Sequence, residues 1–162
     1  MRLAALALLL VGCEGTLPVL PQGGPFVLGL GLDATDAQID AWALAAEMWE
    51  PCGAPRITVE IAPAAPNRVY YTLLRPEADA DAQQLGVTGD YAEGGTIRVW
   101  VGAEPMSKNQ RVGLYAHELG HLLGIGHIDS PAKGPRNAMS DPAGYAVTDA
   151  DIAACKVIYN RP

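Results

Sequence analysis

Three histidines and one glutamate share a single eleven-residue run, His117–His127, and the 162-residue chain contains no other histidine. Residues four apart in an α-helix lie on the same face, so His117 and His121 can direct ring nitrogens at one metal ion. Glu118 lies one position further round the helix, where its carboxylate can reach a water held by that ion. These residue types at this spacing predict a metal site with an adjacent general base.

The third histidine requires this helix to stop. In a continued helix, His127 would lie on roughly the opposite side and about 9 Å beyond His121. Gly124 can adopt the left-handed conformation that ends a helix, and Gly126 allows a second adjustment before His127 returns to the ion. Three neutral histidines with an open fourth position are typical of a catalytic zinc. The alternative is a chance match on an ordinary amphipathic helix, whose leucines would simply be core.

The full run resembles the zinc-binding motif of the metzincin zinc endopeptidases. Asn137-Ala138-Met139-Ser140 follows at a distance suited to the Met-turn of that family, in which the methionine forms an apolar floor beneath the metal without ligating it. The resemblance therefore implies a zinc ion held by His117, His121 and His127. It also implies Glu118 as the base, and the peptide bonds of extended protein substrates as the target.

The segment from Thr148 to Tyr159 resembles the last helix of the matrixin branch of metzincins. Thr148 and Asp151 independently predict a capping box at its start. Ile128 and Ala150 depart from the matrixin pattern, as does the long stretch between His127 and Met139. The resemblance is therefore closer to metzincins as a whole than to the matrixin branch.

Tyr145 lies six residues after Met139, and its surroundings resemble the segment that forms the outer wall of the main specificity pocket in matrixins. The alternative role for Tyr145 is packing of its own loop. Some metzincins place a tyrosine two residues after the methionine to assist the oxyanion, whereas this chain has Asp141 there.

Two other functions are compatible with the motif. One is a surface lipoprotein that keeps the metalloprotease fold as a binding module without proteolysis. Glu118 argues against it, because a degenerate site is expected to lose its base first. The other is a zinc hydrolase that acts on substrates other than peptides.

The amino-terminal residues predict export. A short basic head and an apolar run about half as long as a bilayer-spanning helix indicate a signal peptide at 1–12. Leu10-Val11-Gly12-Cys13 resembles a bacterial lipobox, which implies lipidation of Cys13; an ordinary secretory signal is the alternative. Residues 13–24 are then a tether and 25–162 the catalytic domain. We expect a protein anchored by lipid in the bacterial cell envelope, at the outer membrane or surface.

The remaining composition restricts partners and compartment. With 11 basic and 18 acidic residues, the formal net charge is −7, and no basic cluster offers a nucleic-acid surface. We expect a monomer whose substrates are peptides or proteins and which contacts the membrane only through its lipid. Cys52 and Cys155 form an even pair, which favours a disulfide in an oxidising compartment over two reduced, buried thiols. Asp79 and Asp81 could bind calcium, but their pattern favours an acidic solvated loop instead.

The elements that must position the site predict an α+β (α/β-type) domain. Their order resembles that of the metzincin domain, which implies a twisted mixed five-stranded sheet, two long helices, a Met-turn, and a small C-terminal subdomain ending in a helix. The first helix begins at Thr35 or Asp36 and ends at Pro51, and its apolar face comprises Ile39, Trp42, Ala43, Ala46 and Trp49. Strands are expected at 26–32, 56–61, 68–73 and 96–101, with a weaker extended segment at 84–90 in the place of the antiparallel edge strand of metzincins.

Overall fold

The computed structural model describes residues 26–72, 90–92, 96–100, 107–129, 135–140, 144 and 146–159. Several sequence predictions lie outside these residues: the signal peptide at 1–12, Cys13 and the tether, the acidic pair Asp79 and Asp81, and Tyr145. Within the described parts of the chain, no helix is long and apolar enough to cross a membrane.

Five strands of the described chain form one mixed sheet in the order β2-β1-β3-β5-β4. Strand β1 pairs in parallel with β2 and β3, β3 pairs in parallel with β5, and β4 pairs antiparallel with β5. The bounds of the strands are Phe26–Leu30 (β1), Ile57–Ile61 (β2), Asn67–Thr72 (β3), Asp90–Ala92 (β4) and Thr96–Trp100 (β5). The antiparallel edge strand therefore begins at Asp90, where the predicted extended segment ends; residues 84–89 lie outside the described part.

In the described residues, three α-helices accompany the sheet: α1 (Asp36–Glu47), α2 (Lys108–Leu122) and α3 (Asp149–Tyr159). Helix α1 starts as predicted, because Thr35 and Gln38 form a capping box. Its predicted end at Pro51 is wrong, since α1 stops at Glu47 and a 3₁₀ helix, Glu50–Cys52, follows. Pro51 lies in the first turn of that helix, where its missing N–H leaves no hydrogen bond unmade.

The main core lies between the sheet, α1 and α2. Helix α1 buries Ala41, Trp42, Ala45 and Ala46, whereas the predicted Ala43 is only half-buried, because the contact face of α1 is turned toward both β2 and α2. The Trp42 and Tyr115 rings stack with their centroids 4.0 Å apart. Trp49, beyond the end of α1, donates its indole N–H to the Ala116 carbonyl at 2.9 Å. These contacts fix α2 against α1 at the residues just before the histidine run.

A disulfide joins Cys52, in the 3₁₀ helix, to Cys155 in α3. The two Cα atoms are 5.6 Å apart, and both side chains are fully buried. Helix α3 is thereby tied covalently to the end of the α1 segment, 103 residues earlier in the chain.

Candidate metal centre

Helix α2 carries the first two histidines in its last two turns. Ser107 and Gln110 form a capping box that fixes where α2 begins. From that start, His117 and His121 fall on one face, and their Nε2 atoms are 3.1 Å apart. His121 is buried and His117 is half-buried, so this face lies at the edge of the core.

Helix α2 ends in a Schellman motif built around Gly124. Gly124 has a φ of 84°, and its N–H donates to the His121 carbonyl at 2.9 Å. The N–H of Ile125 donates to the Gly120 carbonyl, also at 2.9 Å, which completes the motif. The turn predicted at Gly124 is present. The adjustment predicted at Gly126 is not a left-handed one, because Gly53 and Gly124 are the positive-φ glycines among the described residues.

Backbone carbonyls fix the tautomers of the two helical histidines. His117 Nδ1 lies 2.7 Å from the Ala138 carbonyl oxygen, and His121 Nδ1 lies 2.9 Å from that of Ile125. A carbonyl oxygen can only accept, so both rings carry their proton on Nδ1. In neutral rings, both Nε2 atoms are then acceptors that face each other and cannot form a hydrogen bond together.

The third histidine completes the cluster. His127 Nε2 lies 3.4 Å from His117 Nε2, and the ligand atoms of all three histidines lie within 4.8 Å of one another. Nitrogens bound to one tetrahedral zinc at 2.0–2.1 Å would be about 3.3 Å apart. The two spacings from His117 Nε2, 3.1 and 3.4 Å, fit this value. Three converging imidazoles suit a divalent transition metal such as zinc.

Burial prepares His121 to act as a ligand. Desolvation lowers the pKa of His121 from 6.5 to about 3, with a further lowering from neighbouring His117 and a smaller one from His127. The hydrogen bond to the Ile125 carbonyl opposes this shift. The ring is therefore neutral at neutral pH, which is the form that binds a metal.

The predicted base, Glu118, follows His117 directly on α2. Its side chain is buried, with 4 % of its surface exposed. Glu118 and Asp151 are the two buried carboxylates among the described residues, and Asp151 lies in α3 with its oxygens engaged by backbone amides. Of these two residues, Glu118 is the one that belongs to the His117–His127 run.

Met139 packs directly against α2 between the two helical histidines. Met139 is fully buried, and a Cβ atom built on Gly120 would overlap its Sδ atom. The same Cβ would lie 2.9 Å from Trp49 Cζ2. Sequence reasoning assigned no role to Gly120, although a glycine inside a helix, about 1 kcal/mol less favourable than alanine, signals a packing requirement.

The backbone around Met139 is held by α3. The carboxylate of Asp151 accepts hydrogen bonds from the N–H groups of Ala138 at 2.9 Å and Met139 at 3.0 Å. It also accepts from the Thr148 N–H at 2.7 Å, so the predicted capping box is present. Sequence reasoning found only this capping role of Asp151. Its second role orients the Ala138 carbonyl that holds His117.

The same segment holds the chain beyond His127. The Ile128 N–H donates to the Met139 carbonyl at 2.9 Å, and the Asn137 side-chain amide donates to the Asp129 carbonyl at 2.9 Å. Residues 137–139 therefore support His117 directly and His127 through its neighbours. No single motif in the sequence indicated this arrangement.

No protein-family model matches this chain, and no curated protein sequence matches it either. Solved structures do match. A structure of myroilysin aligns with a TM-score of 0.61 at 13% identity, covering 89% of this chain and 83% of that chain. A second myroilysin crystal structure aligns with a TM-score of 0.58 at 13% identity, covering 93% and 89%.

A third similar structure is high choriolytic enzyme 1, a hatching enzyme zinc-protease from the medaka fish Oryzias latipes. It aligns with a TM-score of 0.53 at 11% identity, covering 85% of this chain and 90% of that chain. Identities this low establish the fold alone. The chain has the fold of metzincin-type zinc proteases together with a histidine triad, so the resemblance predicted from its sequence is confirmed at that level.

Proposed function

We propose that this chain is a zinc-dependent endopeptidase that hydrolyses peptide bonds in extended protein substrates. The observation that carries the proposal is the convergence of three histidine Nε2 atoms, with Nδ1 of His117 and His121 hydrogen-bonded to backbone carbonyls. The position of Glu118 and the similarity to zinc-protease folds support it.

His117, His121 and His127 would hold the zinc ion. When bound there, zinc would supply Lewis acidity, lowering the pKa of water and polarising the scissile carbonyl. Glu118 would hold the attacking water, take its proton, and later deliver that proton to the leaving amine. The turn that contains Met139 would serve as the Met-turn, with its apolar side chain beneath the three histidines.

An extended substrate would bind along the edge of the sheet. Among the described residues, β4 is the edge strand next to β5 and runs antiparallel to it. A peptide that pairs with such an edge is held through its main chain, so little sequence is demanded of it. Side-chain preference would then come from one pocket beside the metal, for which Tyr145 is our candidate wall residue.

We propose further that the protein works outside the cytoplasm as a lipid-anchored monomer. Residues 1–12 would be removed as a signal peptide and Cys13 lipidated, which leaves the domain tethered to the bacterial envelope. The Cys52–Cys155 disulfide supports export, because disulfides persist mainly in oxidising compartments.

The test of this function is cleavage of an unstructured protein by the purified chain. We expect cleavage at neutral pH that a zinc chelator abolishes and added zinc restores. His121→Ala should lack both metal and activity, which controls for contaminating proteases. A wild-type chain that binds zinc but leaves the substrate intact would support the binding-module alternative and refute the peptidase.

A further inference from the structure

The buried face of α3 carries three residues spaced one turn apart, each attached to a different part of the protein. Asp151 holds the amides of Ala138 and Met139, Cys155 is bonded to Cys52, and Tyr159 donates its hydroxyl to the Leu123 carbonyl at 3.0 Å. The first attachment serves the metal centre, and the second is structural. The third ends on the metal-binding helix itself.

The Leu123 carbonyl lies at a sensitive point of that helix. The last carbonyls of a helix have no partner within it, and Leu123 is the C-cap of α2 and is fully buried. Carbonyls of Leu119, Gly120 and His121 are satisfied within the end of the helix and its Schellman motif. The Tyr159 hydroxyl satisfies the Leu123 carbonyl from a different element.

The peptide that Tyr159 holds leads directly into the turn that orients two histidines. Gly124 follows Leu123, and the carbonyl of Ile125, two residues after Leu123, accepts the hydrogen bond from His121 Nδ1. His127 lies two residues further on. A rotation of the Leu123–Gly124 peptide would therefore displace the Ile125 carbonyl and alter both the ring of His121 and the approach of His127.

We propose that Tyr159 is a positioning residue for the metal centre, acting through the Leu123 carbonyl on His121 and His127. The inference rests on the proposed metal site, though not on peptide hydrolysis. The hydroxyl touches neither metal nor substrate, so its contribution lies in the geometry of the ligands. Changes to residues that orient metal ligands commonly weaken metal binding ten- to hundredfold.

Tyr159→Phe removes the hydroxyl and keeps the ring in the core. We expect zinc affinity, measured by competition with a chelator at neutral pH, to fall about tenfold. The visible spectrum of the cobalt-substituted protein should also change, because it reports ligand geometry. The control is Thr35→Ala, which removes the α1 N-cap far from the metal and should lower thermal stability while leaving zinc affinity within about twofold.

The proposal is overturned by an unchanged zinc affinity and cobalt spectrum in Tyr159→Phe, or by an equal loss of affinity in both variants.

A measurement on the wild-type protein tests the proposal even where a variant fails to fold. Coupling between two sites is reciprocal, so zinc should slow amide hydrogen exchange at Cys155 and Tyr159 in the unaltered chain. Exchange in α3 that does not respond to zinc would also contradict the proposal. Loss of proteolysis alone, with zinc still bound, would count against the proposed activity and leave this inference standing.

Discussion

His121 combines two properties that a metal ligand needs, a neutral ring and a fixed direction. Its burial disfavours the charged imidazolium, and its hydrogen bond to the Ile125 carbonyl sets the ring so that Nε2 faces the other histidines. The fixed direction comes from the turn at Gly124, which brings the Ile125 carbonyl to the His121 ring.

The lowered pKa of His121 predicts a pH-dependent stability of the metal-free protein. The unfolded chain takes up a proton at His121 near pH 6.5, whereas the folded chain does so only near pH 3. Proton binding between these values favours the unfolded state, so this contribution to stability is complete above pH 6.5 and is lost as pH falls toward 3. At pH 5 the loss should be about 2 kcal/mol relative to neutral pH.

Chemical denaturation of the metal-free protein at pH 7.5 and pH 5 measures this effect. His121→Gln lacks the titrating ring, so its stability should change less between the two pH values than that of the wild type. The same pH dependence in both proteins would show that His121 is not the group responsible. With metal present, acidification should in addition release the ion, because protons compete for the ligand nitrogens.

The residues that could be identified from the sequence alone are those whose positions depend on nearby residues of the same segment. The ligands His117 and His121 follow from helix periodicity, and the turn at Gly124 follows from the need to bring His127 back. Gly120 was missed because its function depends on Met139, which reaches it from another segment of the chain. The second role of Asp151 was missed for the same reason.

At the scale of elements, α3 supports the metal centre without contributing a ligand. The carboxylate of Asp151 accepts hydrogen bonds from three backbone N–H groups and from the Thr148 hydroxyl. A neutral side chain of the same shape cannot replace it, because an amide would turn an N–H₂ group toward one or more of these donors.

Asp151→Asn should therefore destabilise the fold by about 2 kcal/mol, since it leaves buried donors unsatisfied, and should weaken metal binding through the Ala138 carbonyl. The matched control is Asp149→Asn, which changes an exposed acid in the first turn of the same helix. Denaturant unfolding and metal competition provide the two measurements. If the two variants have equal stability and equal metal affinity, Asp151 contributes only its charge at the helix terminus.

The helices were predictable where the amino-acid composition and the capping residues indicate the same boundary. Thr35 with Gln38 and Thr148 with Asp151 begin α1 and α3 close to where the sequence places them. The end of α1 was not predictable from Pro51, because the chain leaves the helix earlier to bring Trp49 against α2. Tertiary packing decided that boundary, and local sequence did not.

At the scale of the molecule, one covalent link ties the beginning of the domain to its end. The disulfide between Cys52 and Cys155 closes a segment of 103 residues. Under the chain-entropy treatment, a loop of that size contributes about 4–5 kcal/mol through the unfolded state.

The Cys52→Ala, Cys155→Ala double variant should lose stability on this order, as measured by denaturant unfolding without reductant. Reductant should destabilise the wild type and leave the double variant unchanged, which makes the variant its own control. Two free thiols in protein exported to an oxidising compartment would contradict the link.

The resemblance to metzincins predicted a mixed sheet with an antiparallel edge strand, and the structure confirms its mixed character. The neighbour order β2-β1-β3-β5-β4 was not predicted from the sequence, since alternation patterns do not specify which strands pair.

The most direct measurement of the central claim compares Glu118→Gln with Glu60→Gln, an exposed glutamate on β2. Both variants should retain about one zinc per chain and the wild-type fold. Because Glu118 would move the proton, its replacement should lower kcat/KM on an unstructured protein about a thousandfold, while Glu60→Gln stays near wild type. A Glu118→Gln chain that keeps its zinc and still cleaves at the wild-type rate would contradict the account.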